Sequence, residues 1–176
     1  HYNPIIKKIR AIDKPIIAAV NGVAAGAGAN LALACDIVTA TQSANFIQAF
    51  CKIGLVPDSG GTYFLPRLIG LPKATAIMMT GESVSAEKAE QMGMIYAVYE
   101  DDEFESKSLE LAKSISEMPT KGLGYTKKLL NYSLNNSLDD QLNLEAETQA
   151  LSAKSEDHKE GIQAFLEKRS PVFTGK

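Results

Sequence analysis

A small parallel α/β core followed by a helical C-terminal half is the fold class that this sequence predicts. Three observations carry it. "KPIIAAV" (Lys14–Val20) is a continuous apolar run opened by proline, the pattern of a strand buried on both faces. A Gly/Ala-rich stretch, "NGVAAGAGANLALACD", then turns into a helix and is followed by the β-branched "DIVTA" (Asp36–Ala40). Strand, helix and strand within about 25 residues imply a right-handed parallel crossover. From Asp102 onward the apolar spacing is helical nearly to the end.

Each element has a local reason. "NPIIKKIRAI" (Asn3–Ile12) reads as a short amphipathic helix, and "ANFIQAF" as a short third strand. "TAIMMTG" reads as a helix stopped at Gly81. "SAEKAEQMG" opens on the N-cap Ser85 and closes at Gly93. "IYAVY" is a short strand. Phe104, Ser108, Leu111, Ile115 and Met118 share one helical stripe. The next helix starts at Pro119, and another is capped by Ser137 with acids in its first turn. "SEDHKEGIQAFLEKRS" closes the series. Residues 1–100 form the α/β core and residues 101–176 the helical region.

Composition narrows the function classes. At 176 residues, 45% hydrophobic and 22% charged, the chain has the make-up of a globular domain. Eighteen basic against 21 acidic residues leave a net charge of −3, which gives no basic footprint for nucleic acid. No apolar run approaches a membrane span. Cys35 and Cys51 sit in apolar company, outside any CxxC pair and away from His1 and His158. They read as buried, reduced thiols of a cytoplasmic protein, and no metal site is expected.

Two stretches can carry chemistry. The turn before "GAGANLALA" presents free backbone N–H groups at the positive end of a helix, suited to a phosphate or a developing oxyanion. It lacks the third glycine of the dinucleotide fingerprint and the lysine of a phosphate-binding loop. Packing of small residues at a tight turn explains it equally well. "GLVPDSGGTYF" (Gly54–Phe64) places Asp58 among apolar neighbours. Asp58 is a turn residue, a helix cap or an acid/base group.

"KPIIAAVNGVAAGAGANLALACDIVTA", "FCKIGLVPDSGGTYFLPRLIG" and "TGESVSAEKAEQMGMI", in this order, resemble the crotonase family of enoyl-CoA hydratases and isomerases. The likeness extends to "EGIQAFLEKRSPVFTGK". It implies a ββα-spiral core with a helical trimerisation region, and it corresponds to about the C-terminal two thirds of a family member. "AFCKIGLVPDSGGTYFLPRL" and "KRSPVFTGK" most resemble the ring 1,2-epoxyphenylacetyl-CoA isomerases.

The resemblance implies that the backbone N–H of Ala27, between Gly26 and Gly28, is one of two oxyanion-hole donors. The other donor belongs to an earlier segment of the family fold. Hydratases of the family carry two glutamates, and the matching positions here are Asn30 and Phe50, neither of which transfers protons at neutral pH. A carboxylate stands instead at Asp58, as in the family's isomerases, and one carboxylate suffices to move a proton between carbons. Tyr63 helps line the acyl pocket, or packs the core. Phe165 and Lys168, three apart and so on one helix face, would meet the adenine and phosphate of a neighbouring subunit's coenzyme A, or form a solvated basic helix end.

The reading is therefore an acyl-CoA isomerase forming a trimer or a dimer of trimers. Coenzyme A enters as part of the substrate, with no separate cofactor and no nucleic-acid or membrane partner. The alternatives are an enoyl-CoA hydratase, disfavoured by Asn30 and Phe50, and a non-catalytic CoA-binding or assembly subunit. RNA binding lacks support, because the lysines of "YTKKLL" and "SAKSEDHK" are diluted by acids.

Overall fold

The computed structural model describes residues 2–176; His1, one of the two histidines set aside as metal ligands, lies outside them. The chain forms two compact units. One comprises residues up to Arg10 together with Ile16–Glu110, and the other comprises Ala11–Pro15 with Leu111–Lys176.

In the first unit, helix α1 (Asn3–Ala11) precedes β1 (Ile17–Val20), β2 (Val23–Ala25), α2 (Ala27–Leu33), β3 (Ile37–Thr41) and β4 (Asn45–Ile47). A short 3-10 helix, Ala49–Ile53, leads to α3 (Gly61–Ile69), α4 (Leu71–Thr80), β5 (Ser83–Ser85), α5 (Ala86–Gln91) and β6 (Ala97–Tyr99). Two three-stranded sheets result. One runs β1-β3-β6, all parallel, with Ile17 beside Ile37 and Thr39 beside Ala97. The other runs β2-β4-β5, with β2 and β4 parallel and β5 antiparallel to β4.

The parallel crossover expected between the first two long strands is present as the β1–β3 pair. The burial expected of the Lys14–Val20 run is not, nor is that of the two cysteines: Cys35 is half-buried and Cys51, on the 3-10 helix Ala49–Ile53, is exposed. Among the described residues β1 has a partner strand on one side and is only half-buried, whereas β3 lies between two strands and is buried from Val38 to Thr41. β2 and β5 are not set off as apolar runs: β2 is embedded in the Gly/Ala-rich stretch and β5 abuts the Ser85 cap.

The core of this unit explains the alanine-rich sequence. Ala29, Ala32 and Leu33 of α2 pack with Ala24, Val38, Phe46, Leu65 and Ile69. Small side chains bring the α2 backbone close to the strands, so the turn before it is held tightly. Arg10 donates to the Ala34 carbonyl and pairs with Asp36, each at 3.0 Å, and Asp36 accepts the Ile16 N–H at 2.8 Å. One carboxylate thus ties α1 to the entry of β1.

The caps fall where the sequence places them. Ser85 accepts from Lys88 N–H at α5, and Gly81 closes α4 in the left-handed region at φ 61°. α6 (Phe104–Ser116) buries Phe104 and Ser108, half-buries Leu111 and Ile115, and ends before Met118, which is exposed.

The second unit contains α7 (Thr120–Ser133), α8 (Leu138–Ser152) and α9 (Glu156–Glu167). Ser137 caps α8 by accepting from Asp140 N–H, and Ser155 caps α9 by accepting from His158 N–H. The C-terminal tail folds back along α9. Arg169 makes a bidentate pair with Glu160 at 2.6 and 2.9 Å, and Glu160 also accepts Val172 N–H at 2.8 Å. Buried Asp157 accepts the N–H groups of Thr174 and Gly175, and the Lys176 carbonyl accepts the first N–H of α9 at 2.9 Å. The 170–176 segment thereby fills orphan donors of the α9 start. Among the described residues, no helix is long and apolar enough to cross a membrane.

The Arg169 hydrogen bonds hold the Glu160 carboxyl down to about 2, from an ordinary 4.5. A depressed carboxylate contributes stability that is complete above its ordinary value and lost as pH falls through the folded one. The tail clasp is therefore expected to loosen only in the acid window from about 4.5 down to about 2. Protection of the Val172 amide, followed by NMR across an acid titration, checks this. Loss of protection already near neutrality would contradict it.

Candidate functional site

The site is built from three adjacent pieces of the first unit: the turn into α2, the 3-10 helix, and the loop into α3. Gly26 sits before α2 with φ 54°, a conformation that favours glycine. Its N–H donates to Ile47 O at 2.8 Å, which anchors the turn to β4. Ala27 and Gly28 follow as the first helical residues, so their N–H groups have no acceptor within the helix. Phe50 is buried with its ring against this turn; a Cβ on Gly26 would lie 3.6 Å from Phe50 Cζ.

One turn into α2, Asn30 is wholly buried, at 0% exposure. Its Nδ2 donates to the backbone carbonyl of Asp58 at 2.9 Å, and its Oδ1 accepts from Gln48 Nε2 at 2.7 Å. Both ends of the amide are engaged within the protein. Asn30, expected beside the substrate, thus ties the helix that begins at Ala27 to the loop that carries Asp58. Loss of one partner of such a buried hydrogen bond costs about 1–3 kcal/mol.

The Asp58 loop has little freedom. The Asp58 carbonyl also accepts Gly61 N–H at 2.9 Å. Ser59 and Gly60 are both left-handed, at φ 53° and 79°. That conformation costs roughly 1–2 kcal/mol for a residue other than glycine. Gly61 is required by contact: a Cβ there would lie 2.3 Å from Asn30 Nδ2. The two glycines therefore have different reasons, backbone conformation for Gly60 and close approach for Gly61. The Asp58 side chain is exposed, and its Oδ1 accepts from Ser59 Oγ at 2.9 Å.

Tyr63 is half-buried on the first turn of α3, edge-on to Phe64 at 5.2 Å between ring centres. The Arg67 guanidinium stacks 3.8 Å from the Tyr63 ring centre and donates to the Tyr63 carbonyl. Phe64 is covered on another side by Arg10, at 5.7 Å.

In the second unit, Phe165 is 83% exposed near the end of α9. Lys168 does not share its helix face as the spacing implied. α9 stops at Glu167, and Lys168 is a left-handed C-cap at φ 53°, so the helical period no longer sets its direction. Around α9, Pro119, Ser152, His158, Ile162, Phe165 and Phe173 line a groove of about 400 Å³.

The structure thus brings Gly26, Ala27, Gly28, Asn30, Phe50 and Asp58 together through a continuous set of contacts. Gln48, Ser59 and Gly61 were missed in the sequence reading. Gln48 had a visible signal, a polar residue at strand spacing between Phe46 and Phe50. The "SGG" run was visible too, but the destination of the Asn30 amide was not.

Comparison with known proteins gives the family. The whole chain, residues 1–176, matches the model of the family described as enoyl-CoA hydratase/isomerase. It is 49% identical over 175 residues to the 1,2-epoxyphenylacetyl-CoA isomerase of Escherichia coli K12, covering 99% of this chain and 67% of that protein. It is 46% identical to a "Probable enoyl-CoA hydratase" of Rhodobacter capsulatus, covering 99% and 68%. A crystal structure of an enoyl-CoA hydratase/isomerase from Mycobacterium abscessus superimposes with a TM-score of 0.96 at 38% identity, over 100% of this chain and 68% of the other. The chain spans about two thirds of the length of the relatives it matches. The chain belongs to the enoyl-CoA hydratase/isomerase family, the crotonases.

Proposed function

We propose that the protein isomerises an acyl-CoA thioester by single-carboxylate proton transfer, with Asp58 as the shuttle. The observation that carries this reading is the clamp on the Asp58 loop. Its carbonyl is bonded to Asn30, on the helix that begins at Ala27. Base and oxyanion donor therefore sit on two segments joined by one hydrogen bond. In the proposed reaction Asp58 removes a proton next to the thioester carbonyl, and the Ala27 N–H stabilises the enolate oxygen at the positive end of α2. The protonated Asp58 then returns the proton to another carbon. Phe50 and Tyr63 present aromatic surface to the acyl group, and Gly26 and Gly28 keep the turn open to the carbonyl.

The substrate class that fits is a ring-epoxidised phenylacetyl-CoA or a Δ3-enoyl-CoA. The 49% identity to the E. coli isomerase supports the first. Hydration is the second reading, supported by the name of the R. capsulatus relative. It calls for a second proton-transfer group, and neither the engaged amide of Asn30 nor the ring of Phe50 is one.

In the natural full-length protein, Asp58→Asn keeps the shape and removes the base. Isomerisation of a 3-enoyl-CoA is expected to fall by roughly 10²-fold or more. The parent is expected to hydrate crotonyl-CoA weakly or not at all. Normal turnover by a folded Asp58→Asn variant, or efficient crotonyl-CoA hydration by the parent, would overturn this reading.

We also propose assembly into a trimer or a dimer of trimers, in which Phe165 stacks on adenine and Lys168 meets phosphate of a neighbouring subunit's coenzyme A. Support comes from the apolar residues left uncovered on α9, where Ile162, Phe165 and Leu166 are all exposed. Light scattering is expected to give a multiple of three chains. A stable monomer that binds coenzyme A normally would contradict it.

A further inference from the structure

Ser59 has a conformation that its residue type does not favour, inside the loop that holds Asp58. Its φ is 53°, in the left-handed region, and it is only 1% exposed. A position needing nothing but this backbone shape would carry glycine, as Gly60 does beside it. What the serine adds is a hydroxyl, and that hydroxyl donates to Asp58 Oδ1 at 2.9 Å. Strain retained at a residue next to an acid/base group points to a role for its side chain.

The geometry divides the restraint on Asp58 in two. The backbone is fixed from α2, by Asn30 Nδ2 at 2.9 Å, and from α3, by Gly61 N–H at 2.9 Å. The side chain is exposed and would otherwise sample several rotamers. The Ser59 hydroxyl comes from a buried residue, so it cannot follow those rotations. It holds one carboxylate oxygen and the plane of the group. Oδ2 is left as the oxygen without that bond.

We infer that Ser59 is a positioning residue: its hydroxyl holds Asp58 Oδ1 so that Oδ2 carries the proton in both halves of the transfer. The inference rests on the reading of Asp58 as the shuttle. During the cycle Oδ2 gains the substrate proton as the C–H bond breaks, and gives it up as the new C–H bond forms. The Ser59 O–H keeps its own proton throughout. A carboxylate held in one plane presents the same oxygen to both carbons, which is the contribution of orientation to rate.

The test is a double-mutant cycle of Ser59→Gly and Asp58→Asn in the natural full-length protein, assayed with a 3-enoyl-CoA. Ser59→Gly removes the hydroxyl and suits the left-handed backbone, so its melting temperature is expected to be unchanged or higher. Its kcat is expected to fall about tenfold, with KM within about twofold of the parent. In the Asp58→Asn background the same change is expected to have little effect on kcat. Parent-like kcat in Ser59→Gly, beside a crippled Asp58→Asn, overturns the role of Ser59 alone. An equal loss in both backgrounds, or a loss expressed in KM, also overturns it, since that is the mark of a merely structural residue. Normal turnover by Asp58→Asn removes the reading of Asp58, and this inference with it.

Discussion

The Asn30 side chain joins helix α2 to the Asp58 loop. Its Nδ2 holds the Asp58 carbonyl, and its Oδ1 is held by Gln48 beyond the end of β4. Without this amide, the loop's position relative to the Ala27 N–H would depend on packing alone. Other features follow from it. Gly61 has no side chain because Asn30 occupies the space, and Gly60 and Ser59 turn left-handed to bring the chain into α3. The alanines of α2 allow the helix to approach the strands closely enough for its turn to bond with β4.

The residues at three positions of this arrangement differ from those that the resemblance gives to hydratases. The family resemblance puts glutamates of hydratases at positions 30 and 50. Here position 30 holds an amide that structures the loop, and position 50 holds a ring packed on the turn before α2. A carboxylate stands at position 58, on the segment that the amide secures. A fully engaged buried amide also carries no net charge, so it adds none of the desolvation penalty of a buried carboxylate.

Much of the fold was legible in the sequence, and the reasons are local. Ser85, Ser137 and Gly81 act within one turn of where they stand, so capping rules placed them. The β1–β3 crossover followed from two apolar runs and a turn. β2 and β5 escaped because one lies inside the Gly/Ala-rich turn stretch and the other runs straight into the Ser85 cap, so neither stands apart as an apolar run the way β4 and β6 do. The Asp58 loop was marked by composition, and the resemblance supplied its role. Its geometry was not legible, because the Asn30–Asp58 bond spans 28 positions and the left-handed φ of Ser59 is one that its residue type does not favour. Lys168 failed for the converse reason: the spacing assumed a helix that ends one residue earlier.

The claim that the Asn30 amide fixes the Asp58 loop is tested most directly by amide hydrogen exchange in an Asn30→Leu variant, which keeps the branched shape and removes the donor. The Gly61 N–H, bonded to the same Asp58 carbonyl, is the reporter. Its exchange is expected to quicken by about fivefold or more, on the order of the loss of a 1–3 kcal/mol buried hydrogen bond, while the amides of β3 keep their protection. Unchanged exchange at Gly61 in a folded variant would contradict the claim.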